Sequence, residues 1–297
     1  MNRLPVILNP TAGGGRLLRQ QDRLAAVAAA NGAELEICIA SSRDHTIEQA
    51  AAAAADGVPL VLAFGGDGTY NAVARGLLGS ETAMGVLPGG TTSVLAYEFE
   101  VPRPAHRAVE ALLTGDERHM RVGRSDRGDL VLLMLSAGPD SHVLERLSPN
   151  LKKLGGRAGV ALQGLVEIVR GGQLPRVRLH AGNGSQETGW VIVGNSRCYG
   201  SHFAATPGAD PFRGDFEVVS QRTSGHGAAA AFLLGIPSGR HLRRPDVTRV
   251  IVDRVRLESV DDGVPVPYQV DGDVVGTLPV EIHIDPQHLK VRLPAKE

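Results

Sequence analysis

Residues 60–71 read Leu-Val-Leu-Ala-Phe-Gly-Gly-Asp-Gly-Thr-Tyr-Asn, and this stretch decides the fold. Its first part, Leu60–Phe64, is wholly apolar, which is typical of a buried strand in a parallel sheet. Three glycines and one carboxylate, Asp67, follow it, and a helix is predicted over Tyr70–Leu78. Glycine lets the backbone approach a ligand closely, and the free N–H groups at a helix N-terminus suit phosphate. The stretch therefore favours a phosphate-binding loop over a simple glycine-rich turn.

Strands and helices alternate around this stretch. Strands are predicted over Leu4–Leu8, Leu35–Ile39 and Ala83–Leu87, and helices over Arg16–Ala30, Asp44–Ala55, Ser93–Phe99 and Pro104–Leu113. Such alternation indicates βαβ units and a parallel sheet. Ligands of these sheets bind beyond the carboxyl ends of the strands. Three loops rich in glycine and threonine fall at those ends, over residues 9–15, 65–69 and 88–93.

After about residue 120 strands dominate. They are predicted over Leu130–Ser136, Val177–His180, Gly189–Asn195, Phe216–Ser220, Val247–Val252, Val255–Leu257, Val266–Val270, Leu278–Ile284 and Leu289–Leu293. One long helix, Leu151–Arg170, interrupts them. A run of strands after a βαβ half indicates a second, β-rich domain. We place an α/β nucleotide-binding domain at 1–122, with 286–297 as a candidate last strand of it, and a β-rich lipid-substrate domain at 123–285.

Composition limits the class of protein. The chain has 297 residues, 42% hydrophobic content and a net charge of −1, which argues against a nucleic acid partner. Two cysteines, Cys38 and Cys198, make neither a disulfide framework nor a zinc site. The sequence has no apolar run of about 18 residues that would span a membrane. A cytoplasmic protein is the default expectation.

The common phosphate-binding motifs are missing from the sequence. It has no Gly-Lys pair and therefore no Walker A loop, and it has neither His-Arg-Asp nor Asp-Phe-Gly. No strand is followed by Gly-x-Gly-x-x-Gly. Backbone N–H groups and threonine hydroxyls can nevertheless hold phosphate without lysine, and the three loops supply both.

Three motifs carry a family resemblance. They are Asn9-Pro10-x-x-Gly13, Gly65-Gly66-Asp67-Gly68-Thr69-x-Asn71 and Pro88-Gly89-Gly90-Thr91. In this order and spacing they resemble the diacylglycerol kinase catalytic-domain family, which includes bacterial lipid kinases, sphingosine kinases and ceramide kinases. Val193-Gly194-Asn195-x-x-x-Tyr199-Gly200 and Tyr268-Gln269-Val270-Asp271-Gly272-Asp273 resemble motifs of its second domain. The resemblance implies an N-terminal Rossmann-like parallel-sheet nucleotide domain, a C-terminal β-sandwich domain, and ATP-dependent phosphorylation of a lipid hydroxyl between them.

The resemblance also implies roles for individual residues. Those expected to bind the nucleotide are Asn9, Pro10, Thr11, Ala12, Gly13, Ser41, Gly65, Gly66, Asp67, Gly68, Thr69, Tyr70, Asn71 and Thr91. Asp67 is expected to position Mg²⁺, directly or through water. Asp271 is expected to be the general base that takes the proton of the acceptor hydroxyl. Without the resemblance, Asp271-Gly272 after a strand reads more readily as a β-turn than as a catalytic site.

The sequence departs from the family pattern at four places. Val94 stands where the family often has Asp, Met120 or Arg121 where it has Asp near the start of its second domain, and Asp273 where it has Glu. Arg213 replaces an Asp that is tied to a structural metal. Asp210 and Asp215 flank it, but arginine beside them makes a metal ion there doubtful. Arg213 is instead expected to form an ion pair with a nearby carboxylate, one of these two being a candidate.

The resemblance further implies partners and rival functions. It implies a lipid substrate, transient contact with a membrane surface, ATP and Mg²⁺ as cofactors, and it leaves a homodimer open. The basic cluster Arg240–Arg244 reads either as a membrane contact or as a solvated loop, and helix 151–170 either as a wall for acyl chains or as an ordinary packed helix. The rivals are an NAD-kinase-like enzyme with a small soluble acceptor and a non-catalytic lipid- or nucleotide-binding protein.

Overall fold

The chain forms two compact units. The computed structural model describes residues 2–9, 21–90, 93–146, 174, 176–261 and 263–295. Met1–Arg121 and Pro286–Glu297 make the N-terminal unit, and Val122–Asp285 makes the C-terminal unit.

The N-terminal unit is built on a parallel sheet. Its strands are β1 (Asn2–Leu8), β2 (Ala33–Ile39), β3 (Leu60–Gly65) and β4 (Ala83–Pro88). They lie in the order β2-β1-β3-β4, and the end of a long strand, β18 (Val280–Leu293), pairs in parallel with β4. The helices are α1 (Gln21–Ala30), α2 (Arg43–Ala55), α3 (Asp67–Leu77), α4 (Val94–Glu98) and α5 (Ala105–Leu113).

Strand β3 lies at the centre of this unit, as its wholly apolar sequence requires. Every residue of β3 is buried, and α2 and α3 pack against each other. Gly76 permits this packing, because a Cβ there would lie 2.5 Å from the carbonyl oxygen of Ile47. The loop after β3 is thus held between a buried strand and a packed helix.

The C-terminal unit contains two antiparallel layers. One is a six-stranded sheet in the order β14-β13-β10-β7-β16-β17. Its strands are β7 (Met134–Ala137), β10 (Trp190–Gly194), β13 (Phe216–Gln221), β14 (Val247–Val252), β16 (Pro267–Val270) and β17 (Asp273–Thr277). The other layer contains the start of β18 with β15 (Arg254–Ser259), β8 (Val177–Ala181) and β9 (Gly184–Thr188).

Shorter elements complete the C-terminal unit. They are β5 (Asp116–Ser125), which begins in the N-terminal unit, β6 (Leu130–Val131), β11 (Cys198–Tyr199), β12 (Phe203–Ala204), α6 (Pro139–Arg146) and α7 (His226–Gly235). One core joins the two layers, with Leu135, Val193 and Val218 from the six-stranded sheet and Leu179 and Ile282 from the other. This is a β-sandwich. The predicted fold class is confirmed in both units.

Some predicted element boundaries are wrong. The predicted strands Leu278–Ile284 and Leu289–Leu293 largely form one continuous strand, β18 (Val280–Leu293). Its first part pairs with β15, its end pairs with β4, and β5 also pairs with it. No predicted element corresponds to β5, β9, β11, β12, β17, α6 or α7. For α7 the reason is its sequence, His-Gly-Ala-Ala-Ala-Ala-Phe-Leu-Leu-Gly, which has no amphipathic period.

The predicted strand Leu130–Ser136 is interrupted. It forms β6 and β7 with Leu132 and Leu133 between them. The predicted helix Leu151–Arg170 lies outside the described residues. Across the described ranges, no helix is both long and apolar enough to cross a bilayer.

Candidate functional site

The glycine loops that follow β3 and β4 meet backbone to backbone. The Gly89 and Gly90 N–H groups donate to the Gly65 carbonyl at 2.9 and 2.8 Å. A Cβ on Gly90 would lie only 2.6 Å from the Cα of Gly66, so this approach requires glycine at position 90. The predicted phosphate loop is therefore one structure made from two strand ends.

The Gly65 carbonyl oxygen accepts hydrogen bonds from several parts of this structure. Besides the two glycine N–H groups, the Tyr70 hydroxyl lies 2.9 Å and Ser93 Oγ 3.2 Å from it. Ser93 Oγ also accepts from Gly90 N at 3.1 Å. Ser93 has φ 47°, a left-handed conformation that is uncommon outside glycine, and this conformation turns the chain into α4.

Asp67 joins the same structure to α4. Its Oδ2 accepts from Val94 N and its Oδ1 from Leu95 N, both at 3.0 Å. The carboxylate thus caps the first turn of α4, where the helix dipole favours negative charge. Its predicted role toward Mg²⁺ stays a prediction.

Tyr70 and Thr69 are held inside the protein. Tyr70 has no exposed surface, and burial raises the pKa of its hydroxyl well above the ordinary range. Thr69 is 8% exposed, and its Oγ1 occupies the space that a Cβ on Gly65 would need. Any contact of Tyr70 with a nucleotide would come from its backbone.

Asn71 organises two arginines. Its Oδ1 accepts from Arg43 Nη2 and from Arg75 Nε, both at 3.1 Å. Arg43 is the first residue of α2 and follows Ser42, whose hydroxyl caps that helix. Sequence reasoning missed both arginines, since nothing in the sequence indicates that α2 and α3 bring them to one amide.

The remaining nucleotide-binding predictions fall at the same edge of the sheet or outside the described residues. Asn9 N donates to Phe64 O at 3.3 Å, beside the end of β3. Ser41 Oγ lies 2.9 Å from Nδ1 of His45. Residues 10–13 and Thr91 are outside the described part of the chain.

Asp271 lies in the C-terminal unit and binds the break between β6 and β7. Its carboxylate accepts from the N–H groups of Leu132, Leu133 and Met134 at 3.1, 2.8 and 3.1 Å. On the other side of the break, Asn195 Nδ2 donates to Leu132 O at 3.0 Å. These bonds replace the ladder and explain why the predicted strand is interrupted.

The motifs that contain Asn195 and Asp271 are far apart in the sequence, but both bind Leu132 and Leu133. Asp271 accepts from their N–H groups, and Asn195 donates to their carbonyl oxygens. Asp271 itself has φ 52°, which aspartate tolerates better than most residues. Asp273, two residues later, opens β17 and is exposed. The catalytic role of Asp271 stays a prediction. The structure shows that its carboxylate holds the backbone between β6 and β7.

At the position where the family resemblance implies a structural metal, this protein has the guanidinium group of Arg213. Arg213 Nε donates to both carboxylate oxygens of Asp215 at 2.8 Å, and its Nη2 donates to Gly208 O at 2.9 Å. The predicted ion pair of Arg213 with a neighbouring carboxylate is confirmed. These oxygens are the ones a divalent cation would use. The residues present therefore do not fit a cation between Asp210 and Asp215, and the described residues contain no other cluster of three acidic, histidine or cysteine ligands.

Comparisons with known proteins agree with this architecture. Residues 3–125 match the model of the diacylglycerol kinase catalytic domain, and residues 135–293 match the YegS C-terminal NAD kinase beta sandwich-like domain. A diacylglycerol kinase of Mycobacterium tuberculosis is 25% identical over 304 residues, covering 99% of this chain and 96% of that protein. One from Staphylococcus carnosus is 23% identical, covering 98% and 95%.

The fold is also found in a solved structure. A crystal structure of a diacylglycerol kinase from Bacillus anthracis covers 98% of this chain and 96% of its own, with a TM-score of 0.73 and 18% identity. The two matched models together extend over both units described above. The chain therefore belongs to the diacylglycerol kinase catalytic-domain family, with a YegS-type β-sandwich as its C-terminal part.

Proposed function

We propose that this protein is a lipid kinase that transfers the γ-phosphate of ATP, with Mg²⁺, to the hydroxyl of a diacylglycerol-like lipid. The observation that carries the proposal is the meeting of the Gly65–Gly66 and Gly89–Gly90 backbones beside Asp67 at the carboxyl ends of β3 and β4. Membership of a kinase family, and the diacylglycerol kinases among its relatives, support the reaction class.

The strand ends supply the features that a phosphate cradle requires. Close backbone approach at Gly66 and Gly90 leaves this edge without projecting side chains. Thr69 N already bonds Gly66 O at 2.9 Å, so the first turn of α3 is formed before any ligand arrives. Phosphoryl transfer depends mainly on such prior positioning of charge and hydrogen-bond donors.

The Mg²⁺ accompanying ATP would be held near Asp67. Its two oxygens accept the backbone N–H groups of Val94 and Leu95, which hold the carboxylate beside the two glycine loops. Val94 cannot add a second carboxylate there, so we propose that water molecules fill the remaining coordination positions, as Mg²⁺ commonly requires. The bound ion would neutralise charge on the β- and γ-phosphates.

The acceptor hydroxyl must lose its proton as its oxygen bonds to the γ-phosphorus and ADP leaves. We propose that Asp271 accepts this proton. Its carboxylate is oriented by three backbone N–H groups. Asp273 is the rival within the same turn, because it is exposed and makes no hydrogen bond or ion pair with the described residues.

One experiment tests the proposed function directly. The purified protein is incubated with ATP labelled at the γ-phosphate, Mg²⁺ and a total bacterial lipid extract, and labelled lipids are separated and identified. A labelled phosphatidic acid-like product is expected, and it should disappear when Mg²⁺ is chelated.

Two controls separate the rivals. NAD in place of lipid tests the NAD-kinase-like alternative, which the family description of residues 135–293 keeps in view. Phosphorylated NAD with no labelled lipid would overturn the lipid assignment. Tight ATP binding without turnover on lipid, NAD or any other acceptor would instead identify a non-catalytic binding protein.

A further inference from the structure

One stretch of the C-terminal unit combines positive charge with apolar side chains. From Arg222 to Pro245 the sequence contains no Asp or Glu but four arginines, at 222, 240, 243 and 244. Between them lies α7, whose sequence is almost wholly alanine, phenylalanine and leucine. The segment 197–206 is likewise free of acidic residues.

The fold gathers these segments into one surface. Phe232 of α7 is buried against Trp190 and His241, with ring centroids 5.1 and 5.4 Å apart. His241 Nε2 lies 3.0 Å from the carbonyl oxygen of Ala205, next to β12. Strand β12 packs against the 3-10 helix Ile236–Ser238 that follows α7. The inner side of this region is thus anchored to the sandwich.

Its outer side exposes apolar side chains. Leu234 is 64% exposed, Phe203 on β12 is 36% exposed, and Pro237 between them in the fold is also exposed. Single exposed apolar residues need no explanation, but these three belong to adjoining elements. We call Phe203, Leu234, Pro237, Arg240 and Arg243 the α7 surface.

The two arginines of the α7 surface, Arg240 and Arg243, have no acidic partner among the described residues. Arg222 donates to Pro245 O at 3.0 Å, and Arg244 pairs with Asp246 at 3.0 Å. Arg240 and Arg243 are exposed and make no hydrogen bond or ion pair with the described part of the chain. Two guanidinium groups that have no partner in the described ranges therefore lie on a 3-10 helix, Arg240–Arg243, that packs against α7.

We propose that the α7 surface docks the protein on a bilayer that contains anionic lipids. Phe203 and Leu234 would enter the boundary between headgroups and acyl chains, while Arg240 and Arg243 would contact lipid phosphates. This is the pattern of interfacial membrane binding, in which buried apolar area and attraction to anionic lipid act together. The inference rests on the proposed function for its purpose, since the substrate of a lipid kinase is held in a membrane.

The test measures binding to vesicles without ATP. Cosedimentation uses vesicles of phosphatidylcholine alone and of phosphatidylcholine with phosphatidylglycerol. The variants are Leu234→Ser and the double variant Arg240→Gln/Arg243→Gln. Their matched controls are Val264→Ser, at a residue 50% exposed elsewhere, and Arg107→Gln, at an exposed arginine of α5.

Wild-type protein should bind the anionic vesicles and bind neutral ones much more weakly. Each arginine near an anionic surface is worth roughly a fivefold change in affinity, so the double variant should bind roughly 30-fold more weakly. Leu234→Ser should weaken binding roughly tenfold on both vesicle types, whereas Leu234→Met and the two controls should bind like wild type. Melting curves establish that each variant is folded.

Three outcomes would overturn the inference. They are wild-type protein that does not sediment with vesicles, variants that bind as wild type does, and a wild-type dimer that Leu234→Ser dissociates in sedimentation, which would make a second copy the occupant. Phosphorylation of a short-chain diacylglycerol in detergent micelles is assayed separately. Vesicle binding without this activity would contradict the proposed function but not the docking surface. Activity without vesicle binding would contradict the docking surface but not the proposed function.

Discussion

At the scale of single residues, much of the candidate site depends on two glycines that face each other. Gly66 has φ −107° and ψ −172°, an extended conformation open to any residue, and a Cβ there would lie 3.6 Å from the Cα of Gly90, an ordinary contact. Gly90 is different, because its Cβ would collide with the Gly66 backbone at 2.6 Å. The two positions should therefore fail in different ways when substituted.

We expect Gly66→Val to fold normally but to bind ATP at least about tenfold more weakly, because its side chain occupies the edge where phosphate approaches. Gly90→Ala should instead lower the melting temperature, because β3 and β4 must separate at their ends. Calorimetric titration with ATP and thermal melts of both variants measure the two effects. Unchanged ATP affinity of Gly66→Val would remove residues 65–69 from the nucleotide site.

The second residue-scale prediction concerns the two carboxylates of the 271–273 turn. Asp271→Asn should lower kcat by roughly 10²–10⁴ and leave ATP affinity within a few fold, because the amide cannot accept the proton. It should also destabilise the protein by about 1–3 kcal/mol, since an amide nitrogen would face a backbone N–H that needs an acceptor. Steady-state kinetics and urea unfolding measure both.

Asp273→Asn is the matched control for Asp271→Asn, because Asp273 is exposed and holds no backbone group in the described structure. It should keep wild-type stability and most of its kcat. If Asp273→Asn were the variant that loses turnover, while Asp271→Asn lost only stability, Asp271 would be a structural residue and Asp273 the proton acceptor.

At the scale of elements, side chains from distant parts of the sequence stabilise short elements. Helix α4 has only five residues, and Ser93 immediately before it supplies no side-chain cap. Asp67, far away in the sequence, supplies two hydrogen bonds to its first turn. The break between β6 and β7 is held in the same way by Asp271 and Asn195.

The third prediction follows for Asp67. Asp67→Asn keeps one acceptor oxygen and loses the charge at the N-terminus of α4, so stability should fall by about 0.5–2 kcal/mol even without nucleotide. Urea unfolding of the nucleotide-free protein measures this loss. Asp44→Asn, at an exposed aspartate in the first turn of α2, is a control expected to cost less. Equal stability of Asp67→Asn and wild type would show that the capping bonds contribute nothing.

At the scale of the whole molecule, stability should depend on pH through carboxylates of opposite behaviour. Burial raises the pKa of Asp140 above its ordinary value of 3.8. Burial also opposes ionisation of Asp246, but hydrogen bonds from Arg244, Gln221 and Thr223 outweigh it and hold the pKa of Asp246 below 3.8. The stabilisation from Asp140 is complete below its ordinary pKa and is lost as pH rises, whereas that from Asp246 exists above 3.8 and is lost as pH falls.

The fourth prediction compares Asp140→Asn and Asp246→Asn with wild type. The free energy of unfolding of wild type relative to Asp140→Asn should fall as pH rises above the ordinary aspartate pKa of 3.8. Relative to Asp246→Asn it should fall as pH is lowered below 3.8. Urea unfolding on both sides of this pH gives both curves. Curves that change in the same direction would contradict the assignment of the two carboxylates.

The sequence by itself determined the fold class and the position of the glycine-rich loop that follows β3. The apolar run Leu60–Phe64, the glycines after it and the alternation of strands and helices are local patterns, and local patterns follow directly from hydrophobic period and backbone freedom. The change to strands after residue 120 likewise predicted a second, β-rich domain, and the family resemblance of its motifs implied that this domain is a β-sandwich. Arg213 beside Asp215 predicted an ion pair for the same local reason.

Only the tertiary structure decided which distant groups meet. That Gly90 touches Gly66, that Asp67 caps α4, and that Asp271 and Asn195 share one break in a strand depend on the order of strands in the sheets, which no local pattern encodes. The α7 surface has the same origin. Its helix has no amphipathic period, and only packing on Trp190 and His241 determines which of its apolar side chains face the core and which remain exposed.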